Sequence, residues 1–223
     1  MRGSKPFNYR ALFAKNVPDV NTPKPPRRAK YDFAVAYPDP DSVPIHALVD
    51  ALKEALDLEG RELAVYPHPE GYPQLREFVA AKLGRDRGMK ISEEDIILAD
   101  GSSQPIHILV EALIDPGDVV ITEDYVYSGT LRTLRRFRAD IRGVCCDQDG
   151  MLPDFLEKTF QIAIAEGNKP KLVYTIPTFQ NPQGWTMTLE RRQELLRLSG
   201  EYGVPIIEDD CYVDLRYEGD PVA

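Results

Sequence analysis

From about residue 95 onward the chain repeats one unit: a short apolar run, a polar cluster, and a stretch with helical periodicity. The apolar runs are residues 95–99 (DIILA), 119–122 (VVIT), 141–144 (IRGV), 171–176 (KLVYTI) and 205–207 (PII). Between them lie a helix with Ile106, Leu109, Val110 and Leu113, an arginine-rich helix reaching Arg138, and helices over 152–166 and 189–202. Unbroken apolar runs of four to six residues suit strands covered on both faces, and strict strand–helix alternation predicts a mostly parallel sheet. His107, inside the first of these helices, reads as a packed core histidine.

The polar clusters all follow a strand. They are Gly101–Ser–Ser–Gln104, Glu123–Asp–Tyr–Val–Tyr127–Ser–Gly129, Gln180–Asn–Pro–Gln–Gly184 and Glu208–Asp–Asp–Cys–Tyr212. Ligands of open α/β sheets collect at the carboxyl ends of the strands. Each cluster alone has an ordinary reading. A Gly/Ser turn opening a helix binds anions through free N–H groups and the helix dipole, but serine is also a good N-cap. Tyr125 and Tyr127 could lay a ring on a flat ligand or simply pack the loop. Asn before Pro is common in turns. Three carboxylates at a strand end are costly to desolvate without a cation or strong donor, so a solvated turn or a magnesium site also fits. Four such clusters on one side of one sheet point to a site.

The chain has 223 residues, enough for one good core and part of a second domain. A net charge of -9 and a pI of about 4.9 give no surface suited to nucleic acid or an anionic membrane. No apolar run is long enough for a membrane helix or a signal-peptide core. Cys145, Cys146 and Cys211 make no disulfide framework, which suits a reduced, cytoplasmic protein, and no cysteine–histidine spacing reads as a metal site.

The first thirty residues are proline-rich and polar and read as an extended arm. Residues 33–44 read as a strand fragment running into turns. Ile45, Leu48, Val49, Leu52 and Leu56 have the spacing of one buried helix face. Residues 66–83 read as a turn followed by a helix with Leu75, Phe78, Val79 and Leu83, with Tyr66 in the turn.

The combined inventory is an anion cradle, an aromatic plate, an amide, and a carboxylate with a tyrosine three residues on. A flat cation with a phosphate tail would use all of it, and pyridoxal 5'-phosphate has that form. In this set and order, together with Tyr66–Pro, Glu70–Gly71, Leu75–Arg76 and Asp115–Pro–Gly–Asp118, the chain resembles the class I/II aminotransferases of PLP fold type I. It is most similar to the 2-aminoadipate aminotransferase and MocR-type subgroup. The resemblance runs from residue 33 to the end.

The resemblance implies an α/β fold with the large domain of PLP-dependent transferases over residues 61–223, and an arm with part of a small domain over 1–60. It implies that Ser102, Ser103 and Gln104 hold the cofactor phosphate and that Tyr127 stacks on the ring. Asn181 and Tyr212 would bond the phenolic oxygen, and Asp209 would pair with the ring nitrogen. Tyr66 would reach the cofactor of a partner subunit, so a homodimer is implied, with an amino acid and a 2-oxo acid as substrates.

Three departures accompany the resemblance. Tyr125 stands where the family usually has proline, and Tyr37 where it usually has a pocket glycine, which favours substrates with larger or apolar side chains. The family's Schiff-base lysine follows the D-x-x-Y segment, whereas the last lysine here is Lys171. The chain therefore reads as the N-terminal part of an aminotransferase, inactive by itself, with the lysine-bearing strand and C-terminal domain absent and a gap expected in its sheet. A non-catalytic PLP-fold module, a degenerate fragment, and a lyase or decarboxylase on the same fold are the alternatives.

Overall fold

The computed structural model describes residues 8–14, 30 and 38–222. The chain divides into two units, Met1–Pro67 and His68–Ala223. In the first, helix α1 spans Ile45–Glu59 and short 3-10 turns form at Tyr9–Leu12, Pro40–Ser42 and Glu62–Ala64. Asp39 starts the second turn by accepting the Asp41 N–H at 3.3 Å. The expected apolar stripe of α1 is present, but Ile45, Leu48, Val49, Leu52 and Leu56 are 45–60% exposed. The described residues of this unit supply only 3-10 turns besides α1, too little to bury a helix face. Of the expected strand fragment and turns over 33–44, residues 33–37, Tyr37 included, lie outside the described residues, and the rest forms the turn at Pro40–Ser42.

The second unit carries α2 (Pro73–Arg87), α3 (Ser103–Leu113), β1 (Val119–Glu123), α4 (Ser128–Arg136), β2 (Asp140–Val144), the short pair β3 (Cys146–Asp147) and β4 (Gly150–Met151), α5 (Pro153–Ala165), β5 (Leu172–Thr175), α6 (Leu189–Tyr202) and β6 (Ile206–Glu208). The main sheet has the order β2-β1-β5-β6, parallel throughout. Alternation along β1 and β5 sorts side chains onto two faces. Val119, Ile121 and Val173 pack with Leu156 and Phe160 of α5 and Leu195 and Leu198 of α6. Val120, Leu172 and Tyr174 pack with Ile106 and Val110 of α3 and Leu134 of α4. Helices therefore cover both faces, and β1 and β5 are buried along their whole length. Among the described residues, no helix is long and apolar enough to cross a membrane.

Three expectations need correction. Residues 95–99 form no strand: a 3-10 turn occupies Glu93–Asp95, capped reciprocally by Ser92 and Asp95, and the extended stretch beyond it joins no ladder. Instead, the Leu98 N–H bonds Glu70 O at 2.8 Å, over Gly71. A Cβ at Gly71 (φ +102°) would lie 2.6 Å from the Leu98 side chain, so this approach requires glycine. Second, β6 is half-buried rather than fully buried, because its only partner in the described sheet is β5. Third, His107 is only partly buried, set edge-on to Phe137 with ring centroids 5.2 Å apart. Its place on the flank of α3 exposes one side of the ring.

Phe160 is fully buried and packs against Tyr202 at 4.9 Å. We expect Phe160→Ala to destabilise the fold by about 3–5 kcal/mol, the cost of lost burial plus an unfilled cavity, read as a lower urea midpoint with an unchanged m-value.

Candidate active site

The carboxyl ends of β1, β5 and β6 lie side by side, and Thr175 is in register with Glu208. At the first of these ends Glu123 is buried, with 1% exposure. Its Oε1 accepts the Thr175 hydroxyl at 2.6 Å and the Ile176 N–H at 2.8 Å, and its Oε2 accepts Gln180 Nε2 at 3.2 Å. Burial raises the pKa of this carboxyl, the three donors oppose the rise, and the nearby Asp124 charge adds to it. Among the described residues no cation stands within ion-pair distance of it.

The loop between β5 and α6 carries Asn181. Gln180, buried beside it, donates to Tyr125 O at 2.6 Å and accepts the Gln183 N–H at 2.8 Å. The loop also closes on itself through Gln180 N–H to Trp185 O and Met187 N–H to Pro177 O. Arg192 of α6 braces it from outside, donating to Pro177 O, Thr178 Oγ1 and Met187 O at 3.0–3.2 Å, and lies 3.5 Å from Glu208.

Asn181 Nδ2 donates to the Tyr212 hydroxyl at 3.0 Å, joining the loops after β5 and β6. Asp209 follows β6 directly and is 7% exposed. Its Oδ2 accepts the Tyr174 hydroxyl at 2.6 Å, and that hydroxyl accepts from Thr130 of α4 at 3.0 Å. Burial, and then the Asp209 carboxylate, push the Tyr174 phenol upward, so it stays protonated as the donor. Burial also raises Tyr212, against the opposing bond from Asn181. Asn181, Asp209 and Tyr212 are thus gathered at one end of the sheet.

The remaining candidates stand apart. Ser102 and Ser103 open α3 with no side-chain cap bond, and both are exposed. Gln104 Oε1 accepts the Asp100 N–H at 2.7 Å and so fixes the turn before the helix. One turn on, Ile106 roots α3 in the cluster that holds Tyr174, against which Tyr212 also packs. Tyr127 is the N-cap residue of α4, and its ring lies on Gly129, where an added Cβ would come within 2.3 Å of it. Tyr66 belongs to the first unit and is 98% exposed. A cavity of about 590 Å³ opens beside β6, lined by Thr175, Met187, Arg192 and Glu208 among others, and none of the candidate residues lines it.

Sequence reasoning gave no role to Tyr174, Thr130, Glu123 or Gln180, although it named the last two within their clusters. Tyr174 hides inside an apolar run and Glu123 reads as the first loop residue. A tyrosine within a strand buried on both faces needs a partner for its hydroxyl, and that requirement is the available signal.

We expect Tyr174→Phe to lower stability by about 1–3 kcal/mol, because Thr130 loses its acceptor and Asp209 its donor. Thermal unfolding of Tyr174→Phe, Thr130→Val and the double variant checks this, and the two losses are expected to be non-additive.

The family model for aminotransferase class I and II matches residues 34–223. The chain is 35% identical over 190 residues to aromatic-amino-acid aminotransferase 1 of Thermococcus litoralis, covering 85% of this chain and 46% of that protein. The crystal structure of an archaeal alanine:glyoxylate aminotransferase superposes with a TM-score of 0.76 at 43% identity, over 82% of this chain and 45% of that one. The kynurenine aminotransferase of Pyrococcus horikoshii, solved in complex with PMP, gives 0.79 at 32% identity, over 85% and 46%. The chain thus spans less than half the length of these proteins. Its strand-end clusters fall within the matched residues, and the chain belongs to the class I and II aminotransferase family.

Proposed function

We propose that the protein is a pyridoxal-phosphate-dependent aminotransferase that moves an amino group between an amino acid and a 2-oxo acid, with residues 1–223 supplying cofactor-binding side chains. The observation that carries this reading is the trio at the carboxyl ends of β5 and β6: Asp209, held by the 2.6 Å bond from Tyr174, and Asn181, bonded to Tyr212 at 3.0 Å.

The trio fits the cofactor's chemistry. Asp209 is a buried carboxylate with one oxygen engaged by Tyr174, so its other oxygen can face a cationic ring N–H. Asn181 gives one N–H to the Tyr212 oxygen. Its second N–H and the Tyr212 hydroxyl proton can both be offered to one phenolic oxygen. When bound, pyridoxal phosphate supplies an electron sink for the substrate's α-carbon. The charge of Asp209 holds the proton on the ring nitrogen, and Asn181 and Tyr212 orient the ring through its oxygen. Tyr127 would supply the aromatic face for the ring. Ser102, Ser103 and the N–H groups opening α3 would take the phosphate, with Gln104 fixing the turn that presents them.

Lys171 stands at the amino end of β5, 3.6 Å from Asp118, at the opposite end of the strand from the trio. In this reading residues 1–223 bind and orient, and proton transfer at the substrate carbon falls to a lysine that residues 172–223 do not contain. Tyr66 is free of its own unit and reaches the phosphate site of a second copy, making the working form a homodimer. The substrates carry larger or apolar side chains, in keeping with the aromatic-amino-acid and kynurenine aminotransferases among the similar proteins.

In the full natural chain, we expect Asp209→Ala to abolish transamination and shift the absorbance of added pyridoxal phosphate. Full activity with an unshifted absorbance would refute the assignment. Asn181→Ala is the milder lesion, weakening cofactor binding by about 1–3 kcal/mol. A panel of amino donors is expected to favour aromatic and long aliphatic side chains, and a strict preference for aspartate counts against the substrate reading.

A further inference from the structure

Glu123 takes no part in the chemistry proposed above, yet it is a buried carboxyl without a cationic partner among the described residues. Burying a carboxyl is costly, and an apolar residue would fill the same place more cheaply. What the carboxyl holds indicates why it is there. All three of its donors lie on one continuous stretch: Thr175 at the end of β5, Ile176 next to it, and Gln180 immediately before Asn181. Gln180 carries the restraint onward through Tyr125 O and the Gln183 N–H.

We propose that Glu123 is a positioning residue for the cofactor site, tying the carboxyl end of β1 to the loop that presents Asn181 to Tyr212. This deepens, and rests on, the aminotransferase reading. The arrangement demands an acceptor at both carboxyl oxygens: Oε1 faces a backbone N–H, which can only donate, and Oε2 faces an amide NH2. Gln180 cannot turn its amide over to compensate. Its Nε2 already serves Tyr125 O and its Oε1 the Gln183 N–H, and a flip would set both against like groups.

Glu123→Gln keeps the shape and replaces one acceptor by a donor, setting two NH2 groups face to face. In the loop, Gln180→Ala cuts the second link and leaves Glu123 bonded to β5. The test uses the full natural chain, with crystal structures of the cofactor-free wild type and both variants, and fluorescence titration with pyridoxal phosphate in wild-type and Asn181→Ala backgrounds. Each variant is expected to pull Asn181 out of hydrogen-bond distance of Tyr212. Each is expected to weaken binding roughly tenfold in the wild-type background and little in the Asn181→Ala background. An intact Asn181–Tyr212 contact in both variants, or losses that simply add to that of Asn181→Ala, overturns the proposal. If wild type binds no pyridoxal phosphate while the variants still release Asn181, the aminotransferase reading fails and the positioning role stands.

Discussion

The pairing of β1 with β5, each covered by helices on both faces, leaves the polar groups of these strands only partners from within the protein. Thr175 and Ile176 reach Glu123 across that pairing, and Tyr174 reaches out from the helical layer side toward Thr130 and Asp209. Water is excluded from most of these groups, so each bond left unmade would carry the desolvation cost of its group. The carboxyl end of the sheet is therefore specified by hydrogen-bond valence as well as by packing. That is the condition under which a binding constellation keeps its geometry without a ligand to hold it.

Part of this was legible in the sequence, for identifiable reasons. The runs that become β1 and β5 are largely apolar because both their faces are covered, so their existence follows from composition and a parallel sheet from the strand–helix alternation. The clusters that hold Asn181, Asp209 and Tyr212 stood out because they follow such runs at a strand's carboxyl end, and the resemblance to the class I/II aminotransferases singled out these three within them. Their contact was less accessible: Asn181 and Tyr212 are 31 residues apart, and only the β5–β6 register brings them together. Residues 95–99 have strand composition but no ladder in the described sheet, so local propensity found no partner to realise it. The same holds for α1, whose periodicity was readable and whose burial was not. Tyr174 and Glu123 were given no role because an apolar run conceals a hydroxyl, and because a carboxylate at a strand end reads as solvated until its donors are known.

Arg192 gives the loop after β5 a mechanical character of its own. One guanidinium spans Pro177, Thr178 and Met187 at the loop's two ends and stands beside Glu208 of β6. Neither end of the loop can lift away without breaking bonds that the other end also depends on, and Trp185 anchors the middle in the core. Segments wired in this way open as one cooperative unit rather than fraying residue by residue. In hydrogen exchange the amides of Gln180, Gly184 and Met187, all bonded within the loop, are then expected to open together. Residues 177–187 thus hold a fixed shape through their own bonds and their anchors in β1 and the core, although they contain neither helix nor strand.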